Sequence, residues 1–123
     1  MKRYIRSSLN PDELDVPESA KHGNCFEVAL HTFMEDPQNY ILVHGVVSGQ
    51  GPLDGIKYCH AWVLDGDTVI DNTQKKLNRL PKVVYYSLGD ISITREYDSK
   101  DVYNMMEKYG TYGPWDFIFD NYY

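Results

Sequence analysis

Residues 58–64 and 68–71 are apolar runs that flank Asp65-Gly66, the strongest short hairpin signal in the chain. If those two residues form the turn, Leu64 pairs with Asp67 and partner numbers sum to 131 along the ladder. His60 then lies opposite Asp71 on one face of the sheet, at a Cα separation of roughly 5.5 Å for a hydrogen-bonded pair. Side chains alternate faces along a strand, so a slip of one residue would put the two on opposite faces. A carboxylate beside an imidazole fixes its tautomer and steadies its charged form. The same pairing is also a common surface ion pair worth little by itself, so it gains meaning only from its neighbours.

Upstream, residues 25–34 place Phe26, Ala29, Leu30 and Phe33 on one helical stripe. Gly23-Asn24 supplies a turn and a cap through the Asn24 side chain, and Asp36-Pro37 closes the helix. Residues 40–47 are dense in β-branched and apolar side chains and read as a buried strand, followed by a glycine-rich loop over 48–55. Residues 81–88 fit either of two elements. Their Val and Tyr content suits a strand, while Pro81 and Gly89 suit the ends of a short helix. Residues 91–97 alternate as a strand, and Asp98 or Ser99 can cap a helix to Lys108 that Gly110 stops. Residues 1–20, with Pro11 and Pro17, read as an irregular arm. The expectation is a single α+β domain over 1–123, a helix packed on an antiparallel sheet. Gly113-Pro114-Trp115-Asp116 and the aromatic tail read as packing elements, with a substrate wall as the alternative.

A formal net charge of −6 with scattered lysines and arginines argues against a nucleic-acid partner, because such binders need clustered positive charge. No apolar run is long enough to span a bilayer, and Met1-Lys2-Arg3-Tyr4 leads into no apolar stretch, so neither membrane nor export is expected. Two cysteines without an export signal point to free thiols in a reducing compartment, hence the cytoplasm.

Cys25 opens the first helix. Unpaired N–H groups and the positive end of the helix dipole stabilise a thiolate there, and the same groups can hold a developing oxyanion. The Asn24 side chain is a candidate to join them. A nucleophile in this place should have its sulfur partly open to a cleft. Lone cysteines are more often inert core residues, which is the alternative reading of Cys25, and Cys59 is not expected to be activated. His22, Cys25, His44, Cys59 and His60 do not make a zinc site: Cys59 and His60 point to opposite faces of a strand and no C-x2-C pair exists. No metal or cofactor is therefore expected. His31 is read as structural and His44 as a hydrogen-bonded interior histidine, the alternative for His44 being a second base or a residue lining the cleft. Gly49-Gln50-Gly51-Pro52 lacks the Lys-Ser/Thr and the helix of a phosphate loop.

Taken together, Gly23-Asn24-Cys25-Phe26-Glu27-Val28-Ala29, His60-Ala61-Trp62-Val63 and Val69-Ile70-Asp71-Asn72-Thr73 resemble the core of the transglutaminase-like branch of papain-like thiol enzymes. The stretch from His44-Gly45-Val46-Val47 to His60 also resembles small phage-type proteins of similar length. The core resemblance implies a papain-like fold, with Cys25 as nucleophile, His60 as general base and acid, and Asp71 as its orienter. It further implies attack on an amide or thioester of a peptide or protein substrate through an acyl-thiol intermediate. Water as acceptor gives a peptidase or amidase, and an amine gives an acyltransferase. No glutamine stands a few residues before Cys25, so the oxyanion donor falls to Asn24 or Gln50. The alternative is a catalytically silent binding protein, such as a phage-encoded inhibitor of a host factor, acting in the host cytoplasm.

Overall fold

The computed structural model describes residues 24–49 and 55–122. The expected arm over 1–20, the turn at Gly23, and Gln50 in its loop lie outside the described residues. Helix α1 (Cys25–Phe33) precedes β1 (Tyr40–Ser48), β2 (Lys57–Asp65), β3 (Thr68–Ile70) and β4 (Arg79–Pro81). Helix α2 (Lys82–Leu88), β5 (Ile93–Tyr97), α3 (Ser99–Tyr109) and a 3-10 turn (Phe117–Tyr122) complete the order. The described strands form an antiparallel sheet in the order β4-β3-β2-β1-β5. The architecture is α+β, as expected. Among the described residues no helix is long and apolar enough to cross a membrane.

Both sheet faces are covered, which is why β1 and β2 read as near-continuous apolar runs rather than clean alternations. On one face, α1 lays Phe26, Ala29, Leu30 and Phe33 against Leu42, Val46, Cys59, Ala61 and Val63. Trp115 and Phe119 of the C-terminal segment join this layer, so the aromatic tail does serve packing. On the other face, Val43, Val47, Trp62, Leu64 and Val69 meet Tyr85 and Tyr86 of α2. The ambiguous 81–88 segment is thus a helix between Pro81 and Gly89, preceded by the short strand β4, which the sequence pattern did not reveal. Helix α3 carries a full capping box, Asp98 with Asp101, and ends at Gly110.

The hairpin differs from expectation in register. Asp65 pairs with Thr68, Leu64 with Val69 and Val63 with Ile70, so the two-residue loop is Gly66-Asp67, not Asp65-Gly66. The reason is backbone sterics. An Asp-Gly loop of type I′ needs a positive φ at both positions, whereas a Gly-first loop needs it at one. Gly66 takes φ +60°, and Asp67 has no positive φ.

Candidate active site

The register moved by two residues, an even number, so face parity is kept and His60 and Asp71 still share a side. They do not face each other directly. Position 71 lies beyond the last residue of β3, across from Trp62, and meets His60 on the diagonal, within reach of these side chains. His60 Nε2 lies 2.9 Å from Asp71 Oδ2. Asp71 leaves the strand yet stays anchored: its N–H donates to the Asn78 carbonyl at 2.8 Å, and its carbonyl accepts from Gln74 N–H at 3.1 Å.

The carboxylate is bonded on both oxygens. Oδ1 accepts from Thr73 N–H at 3.1 Å and Thr73 Oγ1 at 2.5 Å. This is an Asx turn, the local habit of an Asp two residues ahead of its donor. Oδ2 accepts from His60 and from Tyr85 Oη at 2.5 Å. Next to it, the Asn72 amide donates to Thr32 Oγ1 at 2.7 Å, which ties this turn to helix α1. Neither Thr73 nor Tyr85 is among the site residues the sequence singles out; the signal for Thr73 is local, since an Asp recruits the residue two places on, whereas Tyr85 lies in a segment that fits either of two elements.

Cys25 comes from the α1 side of the sheet. Since β3 ends at Ile70, no strand of the described residues flanks the first part of β2 on that edge. Here Cys25 acts on the His60 ring as a neighbouring charge and as a side-chain hydrogen-bonding partner, and both effects raise the imidazole's pKa. With Nε2 directed at Asp71, Nδ1 is the nitrogen left for the sulfur. The structure therefore brings Cys25, His60 and Asp71 together in one chain of contacts. Tyr58 and Trp62 pack beside His60 with ring centroids at 6.2 and 6.1 Å. Gly45, directly across from His60, makes room for the Trp62 ring: a Cβ there would stand 2.5 Å from Trp62 Cη2.

Burial opposes charge on each of these groups, and the pairing overrides it. For His60 desolvation lowers the pKa, but the charges of Asp71 and Cys25 and the hydrogen bonds to both raise it well above the usual 6.5. For Asp71 burial raises the pKa, but the His60 charge and the bonds from His60, Thr73 and Tyr85 bring it down to about 2. Cys59 is the contrast, its thiol pushed far up by burial and then by the Cys25 charge.

Three expectations are corrected. Cys25 is only 5% exposed, so its sulfur is enclosed rather than open to a cleft. Asn24 occupies the N-cap position, but its side chain makes no capping bond among the described residues and is exposed; only its carbonyl serves the helix, accepting from Val28 N–H. His44 is interior but not hydrogen-bonded: neither ring nitrogen has a partner among the described residues. It sits instead in a box of Phe26, Tyr97, Trp115 and Phe119 rings. His31 is exposed on α1, near Tyr112. Both cysteines are free thiols. Comparison of the chain with family models, curated proteins and solved structures finds no match to any of them.

Proposed function

We propose that this chain is a papain-like, transglutaminase-like thiol enzyme of the cytoplasm that acts on an amide or thioester of a peptide or protein. The observation that carries the reading is the order of contacts: Cys25 sulfur to His60, and His60 Nε2 to Asp71 Oδ2 at 2.9 Å. A nucleophile, a base within hydrogen-bond reach and a third group orienting that base form the signature of nucleophilic catalysis. A cysteine at a helix start, packed on an antiparallel sheet that carries the histidine, suits a papain-like core.

In the reaction, the reactive form is an imidazolium beside a thiolate. The Cys25 sulfur attacks the carbonyl carbon, and first-turn backbone N–H groups of α1 face the developing oxyanion. The tetrahedral intermediate collapses as His60 gives its proton to the leaving amine or thiol. His60 then takes a proton from water or an acceptor amine, which attacks the acyl-thiol and releases Cys25. Asp71 stays ionised throughout and holds the ring.

The two thiols provide the test, because both are 5% exposed. Burial alone predicts equally slow alkylation, so selectivity reports the imidazole. A tagged iodoacetamide should label wild type and Cys59→Ala and leave Cys25→Ala unlabelled, with labelling mapped by mass spectrometry. Equal labelling of the two cysteines, or none, would remove the enzyme reading. It would leave a binding protein that keeps the fold for its surface, a phage-encoded inhibitor of a host factor for instance, which the enclosed Cys25 and exposed Tyr103 and Phe117 favour.

A further inference from the structure

We infer that Tyr85 is a positioning residue for the Asp71–His60 pair, its phenol clamping the carboxylate oxygen that His60 uses. The inference rests on the thiol-enzyme reading. Tyr85 comes from α2, on the sheet face away from the α1 packing layer, with its ring 5.4 Å from that of Trp62. Its O–H donates to Asp71 Oδ2 at 2.5 Å, the oxygen that also receives His60 Nε2 at 2.9 Å. Thr73 holds the other oxygen through two bonds. The carboxylate therefore cannot rotate about its Cβ–Cγ bond without breaking bonds on both sides.

The choice of donor matters chemically. An Asp71 oxygen without the phenol would keep a free lone pair beside the imidazolium and bind a proton more readily. A charge-assisted hydrogen bond from a group that itself stays protonated keeps the negative charge on Asp71. It does so without offering a second cation to compete with His60. The titratable groups facing this cluster are His60 and Tyr58 from β2, Cys25 from α1 and Asp71 itself. Among the described residues Tyr85 is the side chain of α2 that bonds to Asp71, while Tyr85 and Tyr86 together pack the helix against the sheet.

Tyr85→Phe keeps the ring on Trp62 and deletes only the donor. The Asp71 carboxyl titration, followed by carbon-13 NMR, should move up from about 2 by about one to two pH units, the worth of one charge-assisted hydrogen bond. Alkylation of Cys25 at neutral pH should slow in the same variant. Tyr86→Phe on the same helix removes a hydroxyl that does not bond to Asp71, and it should leave the Asp71 midpoint in place. An unmoved midpoint in Tyr85→Phe overturns the inference. If that variant does not fold, 3-fluorotyrosine at position 85 supplies the stronger donor. It should lower the His60 midpoint by drawing on the shared oxygen, and an unmoved His60 midpoint overturns the inference equally. The two proposals separate cleanly. An inert Cys25 with a shifted Asp71 midpoint sinks the enzyme reading, whereas a reactive Cys25 with an unmoved midpoint sinks the Tyr85 role.

Discussion

Asp71→Asn replaces a group that only accepts by one that must also donate. Every partner of the Asp71 carboxylate is a donor: His60 Nε2, Tyr85 Oη, Thr73 N and Thr73 Oγ1. The amide oxygen can stay with Thr73, which leaves the NH2 group facing His60 and Tyr85. To avoid a donor–donor clash, His60 must turn neutral with its proton on Nδ1, the tautomer that points a hydrogen at Cys25. Activity should fall on the order of 10^4-fold, as a misassigned tautomer costs in a Ser-His-Asp site. Stability should fall as well, by about 2 kcal/mol, because a buried ionic pair is replaced by a neutral contact that keeps only part of the bonding. For a chain of this size that lowers Tm on the order of 5–10 °C. The loss depends on pH in a defined way. Asp71 has a depressed folded pKa, so its contribution is present above the usual 3.8 and disappears as pH falls through about 2. His60 has a raised folded pKa, so its share is present below 6.5 and disappears as pH rises through its folded value. The wild type and the variant should therefore differ most between about pH 4 and 6.5 and converge near pH 2. Thermal melts across that range and the His60 ring titration by NMR check this. Equal melting at pH 5, with His60 still titrating well above 6.5 in the variant, would refute the reasoning.

Gly45→Ala tests the space beside His60. A Cβ would meet Trp62 Cη2 at 2.5 Å and the Ile93 carbonyl oxygen at 3.0 Å, so neither side yields freely, and a cost of about 1–3 kcal/mol in thermal unfolding is expected. An unchanged Tm would show that Trp62 is not wedged there. His44 predicts acid lability of its own: burial lowers its pKa from 6.5 to about 3, so the unfolded chain takes up a proton in that interval and the folded one does not. Stability should drain by roughly 4–5 kcal/mol as pH falls from 6.5 to about 3. His44→Phe should flatten that limb in pH-dependent melts, and an identical limb would count against the assignment.

Local signals carried much of the fold. The stripe of α1, the apolar run of β1 and the Asp98 cap of α3 each sit in a short window of sequence, and each element formed where that window put it. What depended on distant partners was harder to read. Strand β4 is three residues long and exists because Val69 and Leu80 can pair, a fact no local pattern encodes. The site shows the same division. Thr73 follows from the turn chemistry of Asp71, whereas Tyr85 reaches Asp71 only because α2 folds back over the sheet. The hairpin loop stands one residue later than the Asp65-Gly66 signal, since Asp-Gly and Gly-Asp are both turn pairs and only the φ demand of each position separates them. The site survives because moving a two-residue loop by one shifts every cross-strand partner by two, and two is the period of the strand.

His44 and His60 show where sequence reading reaches its physical boundary. Both are histidines on central strands, both are enclosed, and both stand among aromatic and aliphatic neighbours. Nothing within a few residues of either predicts that one is driven neutral and the other charged. The difference is one carboxylate. On the face of His60, the end of β3 delivers Asp71, and its charge outweighs the cost of burial. On the face of His44, the C-terminal segment delivers Trp115 and Phe119, which supply no acceptor, and desolvation acts unopposed. The sheet thus holds one histidine that favours the fold in its charged form and one that favours it in its neutral form. Acidification should therefore weaken the aromatic box before it protonates Asp71, because the His44 penalty begins to build below 6.5, whereas the Asp71 contribution persists until pH falls below 3.8. A loss of the near-ultraviolet signal of Trp115 and its neighbours should accordingly precede the loss of the His60–Asp71 contact on an NMR-monitored acid titration. The reverse order would mean that the two faces of the sheet do not hold a charged and a neutral histidine as assigned.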